Sequence, residues 1–197
     1  MIKKFIINIV GLSLSTALIA GALFYLPPVD RDNYLCATID KHKRLKNARS
    51  PRLILMGDSN LAFGVDSKKI QNALHCNVIN MGTHLEYGYL FHINEIKPYI
   101  RPGDRVLVVY ELPVVNNIDG TGGLVELTIF YPHAFSLFEP SNFITFAIYF
   151  PASMQRRFNG LVDHKKSYIY RHSFDESGSV KNQVLDSPPL MDLKAFN

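Results

Sequence analysis

A serine at position 59 stands where a nucleophile could stand. "LILMGDSNLAFG" (Leu53 to Gly64) runs from an apolar stretch into Gly-Asp-Ser and then into a small, turn-rich exit. A short apolar run of this kind, unbroken by polar residues, reads as a strand covered on both faces. Open parallel sheets place their ligands at the carboxyl ends of such strands. A serine there can attack an acyl carbonyl, provided that a base takes its proton and that amide donors hold the oxyanion. Gly57 permits close backbone approach, and Asn60 and Gly64 let the chain leave the strand in an exposed turn. The same residues also fit a plain strand-ending turn in which Asp58 or Ser59 caps a helix. A second motif, "NMG" (Asn80 to Gly82), ends the next extended stretch. If the two strands are parallel neighbours, the amides of Ser59 and Gly82 converge on one point, an oxyanion hole in outline.

The elements that must position these residues alternate. "RLILM" from Arg52 is a strand. "DSKKIQNALH" (Asp66 to His75) carries Ile70 and Leu74 four apart behind an Asp cap, and "NVINMG" is extended again. "LEYGYLFHINEIKPYI" (Leu85 to Ile100) returns to helical spacing, "RPGD" turns, and "RVLVVYEL" (Arg105 to Leu112) is the clearest strand. Strand, helix, strand, helix, strand predicts a doubly wound parallel sheet. "LVELTIFYPHAFSLFEPSNFITFAIYFPASMQRRF" (Leu124 to Phe158) is aromatic and broken by Pro132, Pro140 and Pro151. It reads as a helical insertion packed on the sheet, or as a segment in a membrane interface, since "NFITFAIYF" precedes "QRRF".

The order strand, GDS, helix, strand ending in Gly, helix, strand resembles the opening half of the SGNH (GDSL-like) hydrolases. "LILMGDSNLAFGVDS" with "NVINMG" is similar to the membrane-anchored members associated with bacterial cell-surface polysaccharides. The match covers roughly Arg52 to Leu112. It implies an α/β fold with a flavodoxin-like three-layer parallel sheet and acyl-ester chemistry, with Ser59 as nucleophile and Gly82 as an oxyanion donor. The family's third donor is an asparagine after the third strand, in a Gly-x-Asn-Asp setting. Here that strand runs into "YELPVVNN", where Glu111 takes the strand end and only Asn116 or Asn117 could supply an amide. The family also carries a late Asp-x-x-His. None of the seven histidines stands in that pattern: Asp163 adjoins His164, His172 precedes Asp175, and His84 lies two residues after Gly82. The three strands found fall short of the five or so that such a sheet needs, so the expected domain is incomplete, its carboxyl-terminal part truncated or frameshifted away.

Ahead of the domain, Phe5 to Leu26 holds no charged residue and matches the hydrocarbon thickness of a bilayer. Lys3 and Lys4 precede it, and no basic residue follows until Arg31, which places the amino terminus in the cytoplasm and the rest outside, in a bacterium facing the periplasm. A cleaved signal peptide is the rival, because "AGA" at Ala20 to Ala22 resembles a cleavage site. The expected organisation is therefore anchor at 1–26, juxtamembrane linker at 27–51 and α/β domain at 52–197. Cys36 and Cys76 would face an oxidising compartment, paired or free. No CxxC, HExxH or clustered His/Asp spacing marks a metal, and no cofactor motif occurs. With 47% apolar and 19% charged residues the chain is globular, and its +4 charge lacks the aromatic interleaving of a nucleic-acid surface. The partners expected are the lipid bilayer, an acylated glycan as substrate and a membrane protein. Two functions follow: an exported serine esterase or acyltransferase acting on O-acyl groups of glycans, or a non-catalytic scaffold for surface-polysaccharide assembly.

Overall fold

The computed structural model describes residues 2–25, 31–110, 118–162 and 169–181. Helix α1 (Ile2–Tyr25) is long and apolar enough to cross a membrane, and its span from Ile2 to Ala22 is wholly unburied. Across 24 residues it reaches about 36 Å at 1.5 Å per residue. The stretch 27–51, expected as a linker, instead contains α2 (Ala37–Asn47), which buries Thr38, Lys41, His42 and Leu45. Helical spacing is present there, but polar residues fill most of the inward positions, so hydropathy conceals the helix.

Strand β1 (Arg52–Gly57) is central. It pairs in parallel with β2 (Asn77–Asn80) on one side and β3 (Arg105–Val109) on the other, in the order β2-β1-β3. Leu53 lies opposite both Val78 and Arg105, and Gly57 opposite Val109. The period of two in a strand divides the core between the faces. Ile54, Met56, Ile79 and Met81 pack with Leu45 of α2 and Ile96 of α5 (Tyr89–Ile96). Leu55 and Val78 pack with Leu61 of α3 (Ser59–Gly64) and Ile70 of α4 (Ser67–Leu74). Helices thus cover both faces of β1 and β2. Gly57 admits no side chain, because a Cβ there would lie 1.9 Å from the Val109 carbonyl oxygen.

Strand β3 departs from expectation. Its apolar run predicts cover on both faces, yet Leu107 is 49% and Val108 46% exposed. Among the described residues no strand pairs with its outer edge. Beyond it, α6 (Gly122–Phe130) sets Leu124 and Leu127 against Leu35, Tyr87 and Phe91, and α7 (Asn142–Val162) packs on α6 with Pro151 inside the helix. The insertion is helical as expected, but its core contacts are with α5 and the turns before α2 and α5 rather than with the sheet. Cys36 and Cys76 are not joined by a disulfide.

At the amino-terminal ends of β1 and β3, the buried side chains of Arg52 and Asp104 pair through both guanidinium nitrogens Nε and Nη2. The remaining Arg52 donors reach the carbonyls of Leu45 and Tyr99. Asp104 also accepts from the Ser50 hydroxyl at 2.8 Å and the Arg101 amide at 2.9 Å. Burial alone would raise the Asp104 carboxyl, but these donors, Arg52 first, hold it down at about 2. Removing one partner strands the other charge in the core, so Asp104→Ala is expected to cost about 3–5 kcal/mol in urea denaturation. Arg52→Lys, which lacks the planar fork, should recover little of it.

Candidate functional site

At the opposite, carboxyl-terminal edge of the sheet, β1 turns directly into α3. Asp58 is the N-cap, fully buried, its carboxylate accepting from the Asn60 amide at 3.0 Å. Ser59 is the first residue of the helix and is half-buried. No hydrogen bond engages its hydroxyl among the described residues. The tight Gly-Asp-Ser turn exists because Gly57 lets β3 approach and Asp58 satisfies a helix amide that would otherwise be orphaned.

Gly82 lies at the same edge. The chain stays beside β1 past the end of β2, with the Met81 amide on the Leu55 carbonyl at 2.8 Å and the Thr83 amide on the Gly57 carbonyl at 3.1 Å. Gly82 is pressed against α3, so that a Cβ would fall 2.7 Å from the Ala62 nitrogen. The structure thus brings Ser59 and Gly82 onto neighbouring chain ends. The Gly82 amide, however, donates to Asn80 Oδ1 at 2.8 Å. Asn80 is completely buried, and its amide group donates to the Leu61 carbonyl at 2.8 Å and to Ser179 Oγ at 3.2 Å. In this arrangement Asn80 fixes the turn by holding the donor that the acyl chemistry would use. Asn116, Asn117 and Glu111 lie outside the described residues.

Histidines at this edge are engaged elsewhere. His84 Nδ1 accepts from the Glu86 amide at 3.2 Å, which in neutral imidazole leaves the proton on Nε2 and makes that nitrogen a donor. His92, on α5, bridges the ends of β2 and β3: Nε2 meets Thr83 Oγ1 at 2.7 Å and Nδ1 meets the Tyr110 hydroxyl at 2.5 Å. It is 1% exposed, and burial, aided by nearby His84, lowers it to about 3. His172 is exposed, stacked on Tyr170, with Nδ1 3.8 Å from Asp32 Oδ1. Asp175, three residues on, accepts from Ser177 and Ser179. His164 and Asp163 lie outside the described residues. No histidine hydrogen-bonds to Ser59 among the described residues.

The Thr83–His92–Tyr110 bridge escapes sequence reasoning because a single histidine within "LFHINEI" shows no chemical spacing; its place on the buried face of a helix is the only available signal. Lys41 was also missed. It is 3% exposed, and its ammonium donates to the Asn80 and Gly178 carbonyls, joining α2, the end of β2 and the segment 169–181. Burial lowers it to about 7, against the pull of Glu95 and Asp175. A cleft of about 700 Å³ lies beside α2, lined by Asp40, Lys43, Arg44, Arg171 and Glu176 among others; it includes neither Ser59 nor Gly82. Among the described residues no group of His, Cys, Asp and Glu could hold a metal.

Compared with family models, curated proteins and solved structures, the chain matches none.

Because His92 is neutral and buried when folded, the unfolded chain binds the extra proton between pH 6.5 and about 3. Its contribution is complete above pH 6.5 and is lost as the pH falls through that window, at about 1.4 kcal/mol per pH unit at most. Urea midpoints measured from pH 7 to pH 4 should fall more steeply for the natural chain than for His92→Gln.

Proposed function

We propose that this chain is an SGNH-type serine esterase or acyltransferase domain, held at a membrane by α1 and built on the first half of a flavodoxin-like sheet. One observation carries the proposal: Ser59 opens α3 at the carboxyl end of the central parallel strand, half-buried, its hydroxyl unengaged among the described residues. Gly82 on the adjacent chain end supports it, as does the parallel order β2-β1-β3 with helices on both faces. In the reaction, Ser59 Oγ attacks the acyl carbonyl of an ester, its proton passes to a base, and the alcohol leaves. Water or an acceptor hydroxyl then releases the acyl group. The substrate class we assign is the O-acyl ester of a glycan. The lysines before α1 set the domain on the outer face of the membrane.

A second function is favoured by a specific pair of observations. The base is missing beside Ser59 among the described residues, and the Gly82 amide is held by Asn80. A scaffold that keeps the sheet without its chemistry, in a surface-polysaccharide assembly, has those properties.

Labelling with a fluorophosphonate probe separates the two. The enzyme requires a covalent adduct on the full chain that disappears in Ser59→Ala. Equal labelling of both proteins would falsify the enzyme and leave the scaffold.

A further inference from the structure

Helix α7 is turned inside out. Its inner face, packed on α6, buries Asn142 and Ser153, with the rings of Phe146 and Phe150 half-buried beside them. Asn142 is held there by the Asp119 carbonyl and the Glu139 amide. Its outer face carries Phe143 (49% exposed), Ile144 (69%), Ile148 (65%) and the exposed Ala147 and Pro151. At 100° per residue these five fall within one stripe. Other surface helices do the reverse: α2 exposes Lys43, Lys46 and Asn47, and α4 exposes Lys68, Lys69 and Asn72. Apolar faces on a soluble helix mark something that covers them.

We propose that the outer face of α7 lies in the surface of the lipid bilayer. Two features of the chain select lipid as the occupant. The first is continuity with α1. Only residues 26–30 separate α1 from the rest of the described chain, a stretch that spans no more than about 22 Å when fully extended. Once α1 is inserted, the domain is confined beside the headgroups. The second is charge. From Asn142 to Val162 the helix holds no acidic residue, so no carboxylate of its own opposes an anionic lipid surface; Arg156 pairs with Glu126 of α6 on the inner side. The inference rests on α1 as a membrane anchor and is independent of the chemistry at Ser59.

The chain contains no tryptophan, so a single introduced indole reports its own surroundings. The full chain would be reconstituted into vesicles of phosphatidylcholine with a minor share of phosphatidylglycerol, with and without bromine on the acyl chains. Three variants are compared: Ile148→Trp on α7, Leu12→Trp on α1 and Leu74→Trp on α4, all at exposed positions. We expect Ile148→Trp to emit at shorter wavelength than Leu74→Trp and to lose more than about half of its intensity to brominated lipid, with Leu74→Trp unchanged. Emission from Ile148→Trp that matches Leu74→Trp overturns the proposal. So does a blue shift without quenching by brominated lipid, which marks a second copy or another protein on the helix. Leu12→Trp separates the two levels: if it is quenched while Ile148→Trp is not, the anchor stands and the docking of α7 is wrong.

Discussion

The Arg52–Asp104 pair is the constraint on which the rest of the structure depends. It closes the amino-terminal edge of the sheet by joining β1 to the turn that starts β3, and its spare donors take the carbonyls at the end of α2 and before that turn. A buried ion pair stabilises little against well-packed apolar residues, because desolvation offsets most of the attraction. Its effect is on register. Two regions far apart in sequence, Leu45 to Arg52 and Tyr99 to Asp104, meet at this guanidinium, and that meeting sets which residues of β1 and β3 lie opposite each other. The close pairing of Gly57 with Val109 at the other end of the strands follows from it.

At the carboxyl-terminal edge the same task falls to polar groups that are not ion-paired with one another. Asn80 ties β2 to α3 and to the segment 169–181, His92 ties Thr83 to Tyr110, and Lys41 ties α2 to Asn80 and Gly178. Buried polar groups that are fully satisfied specify one arrangement, since any other leaves a donor or acceptor unpaired. Glu95 and His42, with the Nε of Arg44, are exceptions among the described residues. The side chains of Glu95 and His42 are buried with Nδ1 and Oε1 3.7 Å apart, and neither makes a hydrogen bond among the described residues. Burial raises the Glu95 carboxyl against the influence of His42. This pair sits between α2 and α5.

Much of the scaffold was legible because its signals are local. The apolar runs at Arg52, Asn77 and Arg105 became β1, β2 and β3, and Asp66 caps α4 through the Lys69 amide as its position predicted. The serine turn was legible for the same reason, since Gly, Asp and Ser each serve a stated backbone need there. Whatever depended on side chains meeting across the fold was not. "NMG" pointed to the right place, but nothing in it shows that Asn80 holds the Gly82 amide. Helix α2 was hidden because its inward positions are Thr38, Lys41 and His42, whose burial depends on partners from distant segments. The expectation for β3 failed on cover rather than on conformation: a valine-rich run shows that a strand wants neighbours, and cannot show that they are there.

The exposed strand β3 has a consequence for the life of the polypeptide. Among the described residues nothing pairs with the outer edge of Arg105 to Val109, which offers a row of backbone donors and acceptors, flanked by β-branched side chains, with one positive charge to discourage intruders. Such an edge is a template for cross-β growth. Synthesised in quantity away from whatever normally shields it, the protein should therefore clump through this rim, and its solubility in the cell becomes a measure of how promptly the rim is capped.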